Sequence, residues 1–120
     1  MTNVLVVGVG NVGSRHLQGL GLINEKISIC AVDPNNSSIE IAKERFKSIP
    51  YNKNIISLKY CNHFDQIDEN PDIAIIATTA DVRRAVIEKM LNTVNVKYII
   101  LENILLEHSK LSYRYVFSNR

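Results

Sequence analysis

A chain of 120 residues that is 46% hydrophobic and 22% charged is a single domain able to bury a core, not a disordered polymer. Its formal charge of +2, with 14 basic residues dispersed along the chain, lacks the concentrated positive footprint of a nucleic-acid binder. No apolar stretch is long enough to cross a bilayer and no basic-then-apolar leader opens the chain, so the expectation is a soluble cytoplasmic protein without membrane or nucleic-acid partners.

Residues 4–7 form a continuous apolar run, the pattern of a strand covered on both faces. The run breaks into Gly8-Val9-Gly10-Asn11-Val12-Gly13, and Val12, His16 or Leu17, and Leu20 then recur at helical spacing up to Leu22. Residues 27–32 predict a second strand. Ser37-Ser38-Ile39-Glu40 has the form of a capping box and opens a helix with Ile39, Ala42, Lys43 and Phe46 on one face, ending before Pro50. Residues 55–60 predict a third strand, and the polar stretch 63–70 holds at most one helical turn. Residues 72–77 predict a fourth strand. Asp81 is the expected cap of a helix running to about Asn92, with Val82, Ala85, Val86 and Lys89 or Met90 on its apolar side. Residues 96–101 predict a fifth strand. In the remaining stretch, Leu105, Leu106 and Leu111 suit a helix start, and residues 113–117 alternate like a strand.

This alternation predicts an α/β fold: a doubly wound parallel sheet of five to six strands, with right-handed crossovers and helices on both faces. Residues 1–120 read as one domain, of which 104–120 are an irregular extension.

A strand that turns through G-x-G-x-x-G into a helix is the arrangement that holds a dinucleotide diphosphate. Gly8 permits the tight turn, Gly10 lets the diphosphate approach the backbone, and Gly13 lets the helix pack on the strand. No Asp or Glu precedes Glu25, so no local charge repels a phosphate at that helix N-terminus. Asp33 ends the second apolar run 20 residues after Gly13, where a carboxylate accepts from ribose hydroxyls and repels a 2′-phosphate. No Arg or Lys lies in residues 34–38, so NAD is expected over NADP. Asp33 also reads as a plain Asp-Pro turn residue.

Thr78 and Thr79 follow the fourth strand, either bordering the nicotinamide half of the cofactor or simply leading into the next helix. Glu102 and Asn103 end the fifth strand on the same rim. Arg15 reads as a phosphate neighbour or a solvated helix charge, and His16 as a packed or surface residue. His63, His108 and the Arg83-Arg84 pair read as surface groups. Cys30, inside an apolar run, reads as a small buried hydrophobe, and Cys61 as a free thiol near a loop. Neither has metal-ligand or C-x-x-C spacing.

The run from Val7 to Leu20 (G-x-G-x-x-G-x-x-H-x-x-x-L), then Ala31-Val32-Asp33-Pro34, Ala42-Lys43-Glu44-Arg45-Phe46, 72–79 and 96–102 resemble the Gfo/Idh/MocA family of NAD(P)-dependent oxidoreductases over roughly residues 1–105. The resemblance implies that Gly8, Gly10, Asn11, Val12 and Gly13 line the diphosphate and Asp33 holds the ribose. It implies that Thr78 and Thr79 border the cofactor and that Glu102 approaches the nicotinamide.

The chain departs from that family in two ways. Glu102-Asn103-Ile104 stands where the family reads Glu-Lys-Pro, and the family's second, substrate-binding domain has no counterpart here. Asparagine supplies no titratable proton. The expectation is a cofactor domain of a sugar or polyol dehydrogenase with very low turnover alone, assembled as a homodimer or with a substrate-domain partner. Tyr113, Tyr115, Val116 and Phe117 are the candidate contact. The alternatives are a stand-alone NAD(H)-sensing regulatory module and, disfavoured by the third glycine, an S-adenosylmethionine-binding fold.

Overall fold

The computed structural model describes residues 1–101. Glu102, Asn103, His108 and the 104–120 extension with its proposed dimer contact lie outside the described residues.

Five strands form one parallel sheet: β1 (Thr2–Val7), β2 (Ile27–Val32), β3 (Ile55–Cys61), β4 (Ile73–Ile76) and β5 (Tyr98–Leu101), in the order β3-β2-β1-β4-β5. The chain moves outward from β1 to β3, then returns to β1's other side as β4. That reversal opens a crevice beyond the carboxyl ends of β1 and β4. The parallel doubly wound architecture expected from the alternation is the one found.

Successive strand residues point to opposite faces, so each strand feeds two cores. Val4, Val6, Ile29, Ala31 and Ile75 pack with Leu17 of α1 (Asn11–Leu20) and with Ile39 and Ala42 of α2 (Asn36–Lys47). Leu5, Val7, Ala74, Ile76 and Ile99 pack on the other face with Ile87 and Met90 of α3 (Ala80–Thr93) and with Phe64 of a short 3-10 turn, Phe64–Gln66. Covering on both faces is why residues 4–7 of β1 and all of β4 are apolar.

Three local expectations change. The cap of α2 is Asn35, whose side-chain oxygen accepts from the Ser37 and Ser38 N–H groups at 2.8 and 3.2 Å, so the Ser37–Glu40 box lies inside the helix. The residue before α3 is Thr79, and Asp81 sits within the first turn. The buried stripe of α3 is Arg83, Ile87 and Met90, whereas Val82 and Ala85 face outward. The crossover from β4 decides which side of the helix meets the sheet, and it turns Arg83 inward at 6% exposure. Its guanidinium Nη2 donates to the Thr78 carbonyl at 3.4 Å. Arg84 stays outside beside Glu88.

Among the described residues, the connection from β3 to β4 holds a short 3-10 turn and no longer helix. A cavity of about 290 Å³ remains there, lined in part by Cys30, Cys61, Lys59 and Asp68. Cys30 is half-buried against this space rather than sealed in the core. On β5, Ile99 and Leu101 are buried, while Tyr98 and Ile100 are 54% and 50% exposed. They share a face with Ile73 and Ile75 of β4, to which they are paired in register.

Candidate functional site

The crevice is built on the turn between β1 and α1. Gly8 has φ +87°, a left-handed conformation that side chains resist. Its N–H donates to the Val32 carbonyl at 2.8 Å, and an added Cβ would press on Thr78 at 3.1 Å. At Gly13 a Cβ would collide with the Gly8 carbonyl oxygen, because α1 lies directly on the turn. The protein's own packing therefore explains Gly8 and Gly13.

Gly10 differs. It is the residue before α1, with φ −66°, and a Cβ there would meet no atom within 4 Å. Nothing in the described residues requires a glycine at that place. What the bare position provides is open space against the helix N-terminus.

Helix α1 carries no side-chain cap and no acidic residue in its first turn. The Ser14 N–H makes a helical bond to the Gly10 carbonyl at 2.9 Å. The N–H groups of Asn11, Val12 and Gly13 precede it, have no intrahelical acceptor, and lie at the positive end of the helix dipole. Asn11 and Val12 are exposed and Gly13 is buried.

Asp33 stands at the end of β2, half-buried. Its Oδ2 accepts from the Val9 N–H at 2.9 Å, and its Oδ1 accepts from the Asn35 N–H at 2.8 Å. The carboxylate thus ties the glycine turn to the end of β2. Each oxygen keeps a further lone pair for a ligand hydroxyl.

Thr78 lies beside Gly8, and its buried hydroxyl has no hydrogen-bond partner among the described residues. An orphaned buried hydroxyl is costly unless something else satisfies it. The Thr79 hydroxyl is engaged locally: it donates to Asp81, and together with the Asp81 and Val82 N–H groups it holds that carboxyl below its ordinary range.

Sequence reasoning overlooked Arg45. From α2, its Nη1 donates to Ser14 Oγ at 2.6 Å and its Nη2 to Asn11 Oδ1 at 3.0 Å. This fixes a cation beside the first turn of α1. Separations of 31 and 34 residues leave no sequence signal for such a contact. Arg15 instead pairs with Gln18 at 3.1 Å on the exposed side of α1. Among the described residues, no cluster of His, Cys, Asp and Glu suits a metal ion. No helix of the described residues is long and apolar enough to cross a membrane.

The bare Gly10 cradle, the unsatisfied helix N-terminus, the Asp33 carboxylate and the orphaned Thr78 hydroxyl together fit a dinucleotide: diphosphate against main chain, ribose against carboxylate.

A family model described as an oxidoreductase family with an NAD-binding Rossmann fold, GFO_IDH_MocA, matches residues 2–107. No curated protein matches the chain. Among solved structures, a diketoreductase described as acting on dicarbonyl compounds is similar, with TM-score 0.71 and 21% identity over 98% of this chain and 46% of that one. A lactate dehydrogenase from Trichomonas vaginalis, in complex with NADH and oxamate, has TM-score 0.65 and 10% identity over 97% and 43%. A SAM-dependent methyltransferase from Methanosarcina mazei has TM-score 0.53 and 19% identity over 94% and 57%. At these identities the likeness is one of fold. The chain spans less than half the length of the diketoreductase and lactate dehydrogenase structures it resembles.

Proposed function

The chain belongs to the Gfo/Idh/MocA oxidoreductase family, and we propose that its crevice holds NAD, in preference to NADP, as the cofactor domain of a dehydrogenase. The observation that carries this reading is the Asp33 carboxylate, clasped to Val9 beside the open space at Gly10. Gly10 with the N–H groups of Asn11, Val12 and Gly13 would receive the diphosphate, while Gly8 shapes the turn. Asp33 would accept from the adenosine ribose hydroxyls. Its charge opposes a 2′-phosphate, and residues 34–38 contain no Arg or Lys to offset it. Arg45, a cation the fold places beside the first turn of α1, is committed to Ser14 and Asn11.

Thr78 would border the nicotinamide half through its hydroxyl, with Thr79 and Glu102 completing the same rim. When bound, a nicotinamide dinucleotide supplies hydride transfer. The residues of this chain bind and orient it. Asn103 supplies no proton where the family places a lysine, so the substrate, a sugar or polyol, and any acid–base group belong to surfaces beyond this crevice. The homodimer of this reading would use Tyr113, Tyr115, Val116 and Phe117, which lie outside the described residues.

Calorimetric titration with NAD, NADH, NADP and S-adenosylmethionine tests the proposal. Binding of the two NAD forms, weak NADP binding and no S-adenosylmethionine binding support it. Saturable S-adenosylmethionine binding without NAD binding overturns it.

A further inference from the structure

Cys30 on β2 and Cys61 at the end of β3 are 31 residues apart in sequence, yet their sulfurs lie 3.7 Å apart at the wall of the cavity beneath the 3-10 turn. We propose that Cys30 and Cys61 form a two-thiol modification site, which low-molecular-weight disulfides convert to an intramolecular disulfide, and that this bridge loosens the Asp33 end of the nucleotide crevice. The first half concerns these thiols alone. The second rests on the crevice described above.

The cavity gives a small oxidant room to reach both sulfurs, and each thiol is half-buried rather than sealed. The two ionise unequally. The Cys30 thiol hydrogen bond and the His63 N–H draw the Cys61 thiol below its ordinary range, against burial and the nearby Asp65 and Asp68 carboxylates. The shared hydrogen bond to Cys61, followed by burial, pushes Cys30 up. The exchange opens at Cys61, the last residue of β3.

The Cys61 thiolate attacks one sulfur of the small disulfide and expels the other as a thiolate. The Cys30 thiol then loses its proton and attacks the Cys61 sulfur of the mixed disulfide, displacing the second small thiolate. One disulfide is consumed, the Cys30–Cys61 bond forms, and two small thiols leave carrying the two protons.

Closure has a mechanical consequence. The sulfurs must approach from 3.7 Å to about 2.05 Å. The cysteines are offset in the ladder: Cys30 pairs with Lys59, and Cys61 pairs with Val32. The bridge therefore pulls the end of β3 back along β2. That end holds Asp33, whose N–H donates to the Cys61 carbonyl at 3.0 Å. Its carbonyl also accepts from Asn62 Nδ2 at 3.1 Å. Moving Cys61 disturbs both bonds and with them the carboxylate that clasps Val9.

The test equilibrates the chain with oxidised glutathione and reads three quantities. Intact mass and thiol alkylation are expected to show loss of two hydrogen atoms with a 30–61 cross-linked peptide. Cys30→Ser and Cys61→Ser should each prevent it. Amide hydrogen exchange at Asp33 is expected to accelerate at least about tenfold in the oxidised form and to return on reduction of the same sample. NAD affinity is expected to fall about tenfold in parallel. Thiols that stay alkylatable, or a bridge that forms only between chains, overturn the site. Unchanged exchange at Asp33 in the bridged chain overturns the coupling. The mass and exchange readings need no cofactor, so a chain that binds no NAD refutes the nucleotide reading and leaves both halves of this test in force.

Discussion

Asp33 and Val9 are 24 residues apart in sequence, and the carboxylate of one holds the main-chain N–H of the other at 2.9 Å. The bond fastens the end of β2 to the glycine turn, so the same side chain shapes the crevice and presents charge to it. Replacing Asp33 by Ala removes this bond and the 2.8 Å bond to the Asn35 N–H. Hydrogen bonds to charged groups contribute roughly 1.5–3 kcal/mol each when well formed, and this site is half-open to water, so a total loss of about 1–3 kcal/mol is expected in urea unfolding. NAD affinity should fall, and the preference over NADP should narrow. A wild-type preference for NADP in calorimetry would contradict the role given to this carboxylate.

Gly10 and Gly13 separate folding from binding. Gly13→Ala drives a methyl group into the Gly8 carbonyl and should cost several kcal/mol, or prevent folding. Gly10→Ala meets no protein atom within 4 Å and should leave the melting temperature within a few degrees of wild type while abolishing NAD binding. Full affinity in a folded Gly10→Ala chain would remove the diphosphate from this turn.

Thr78→Val keeps the side-chain shape and deletes the orphaned hydroxyl. A buried polar group without a partner costs about 1–3 kcal/mol, so the variant should be as stable as wild type or more stable. If the hydroxyl serves the cofactor, its affinity falls at the same time. Paired thermal melts with and without NAD read both effects, and an unchanged shift on adding NAD would assign Thr78 to packing alone.

Arg45→Met retains much of the aliphatic stem and removes the guanidinium bonds to Ser14 and Asn11. The expected stability loss is about 1 kcal/mol, since the side chain is partly solvated. NAD affinity should drop and become less sensitive to salt, because a fixed cation beside the helix N-terminus is gone. Titrations at two ionic strengths measure this. Identical salt dependence in the two proteins would confine Arg45 to joining α1 and α2.

The Asp81 carboxyl lies below its ordinary range because it accepts from Thr79 and from the N–H groups that open α3. A carboxyl held lower in the folded state than in the unfolded chain adds stability above its unfolded value, and that stability is lost as pH falls through the folded value. Asp81→Asn should therefore lower the unfolding midpoint at neutral pH, and the difference from wild type should vanish in acid once both states are protonated. A difference that persists unchanged into strong acid would show that the charge is not the cause.

Much of the crevice could be read from residue types alone. The strand–G-x-G-x-x-G–helix order and the later acidic residue identify the turn, and the structure brings Asp33 to it. Local features were less legible. Asn35 rather than Ser37 caps α2, because several side chains in that stretch can cap and the path of the chain out of β2 selects among them. Arg83 faces inward because the sheet, and not the helix's own apolar spacing, decides which side of α3 is covered.

Order along the chain and the chemistry of each residue determined the α/β class, the parallel sheet and the nucleotide turn. These follow from short-range periodicity and from conformations open only to glycine. Tertiary structure alone brought Arg45 to Ser14, Cys30 to Cys61 and the Asp33 carboxylate to Val9. Those contacts join residues 24 to 31 positions apart, and at such separations proximity is set by how strands align and helices cross, which no local pattern encodes.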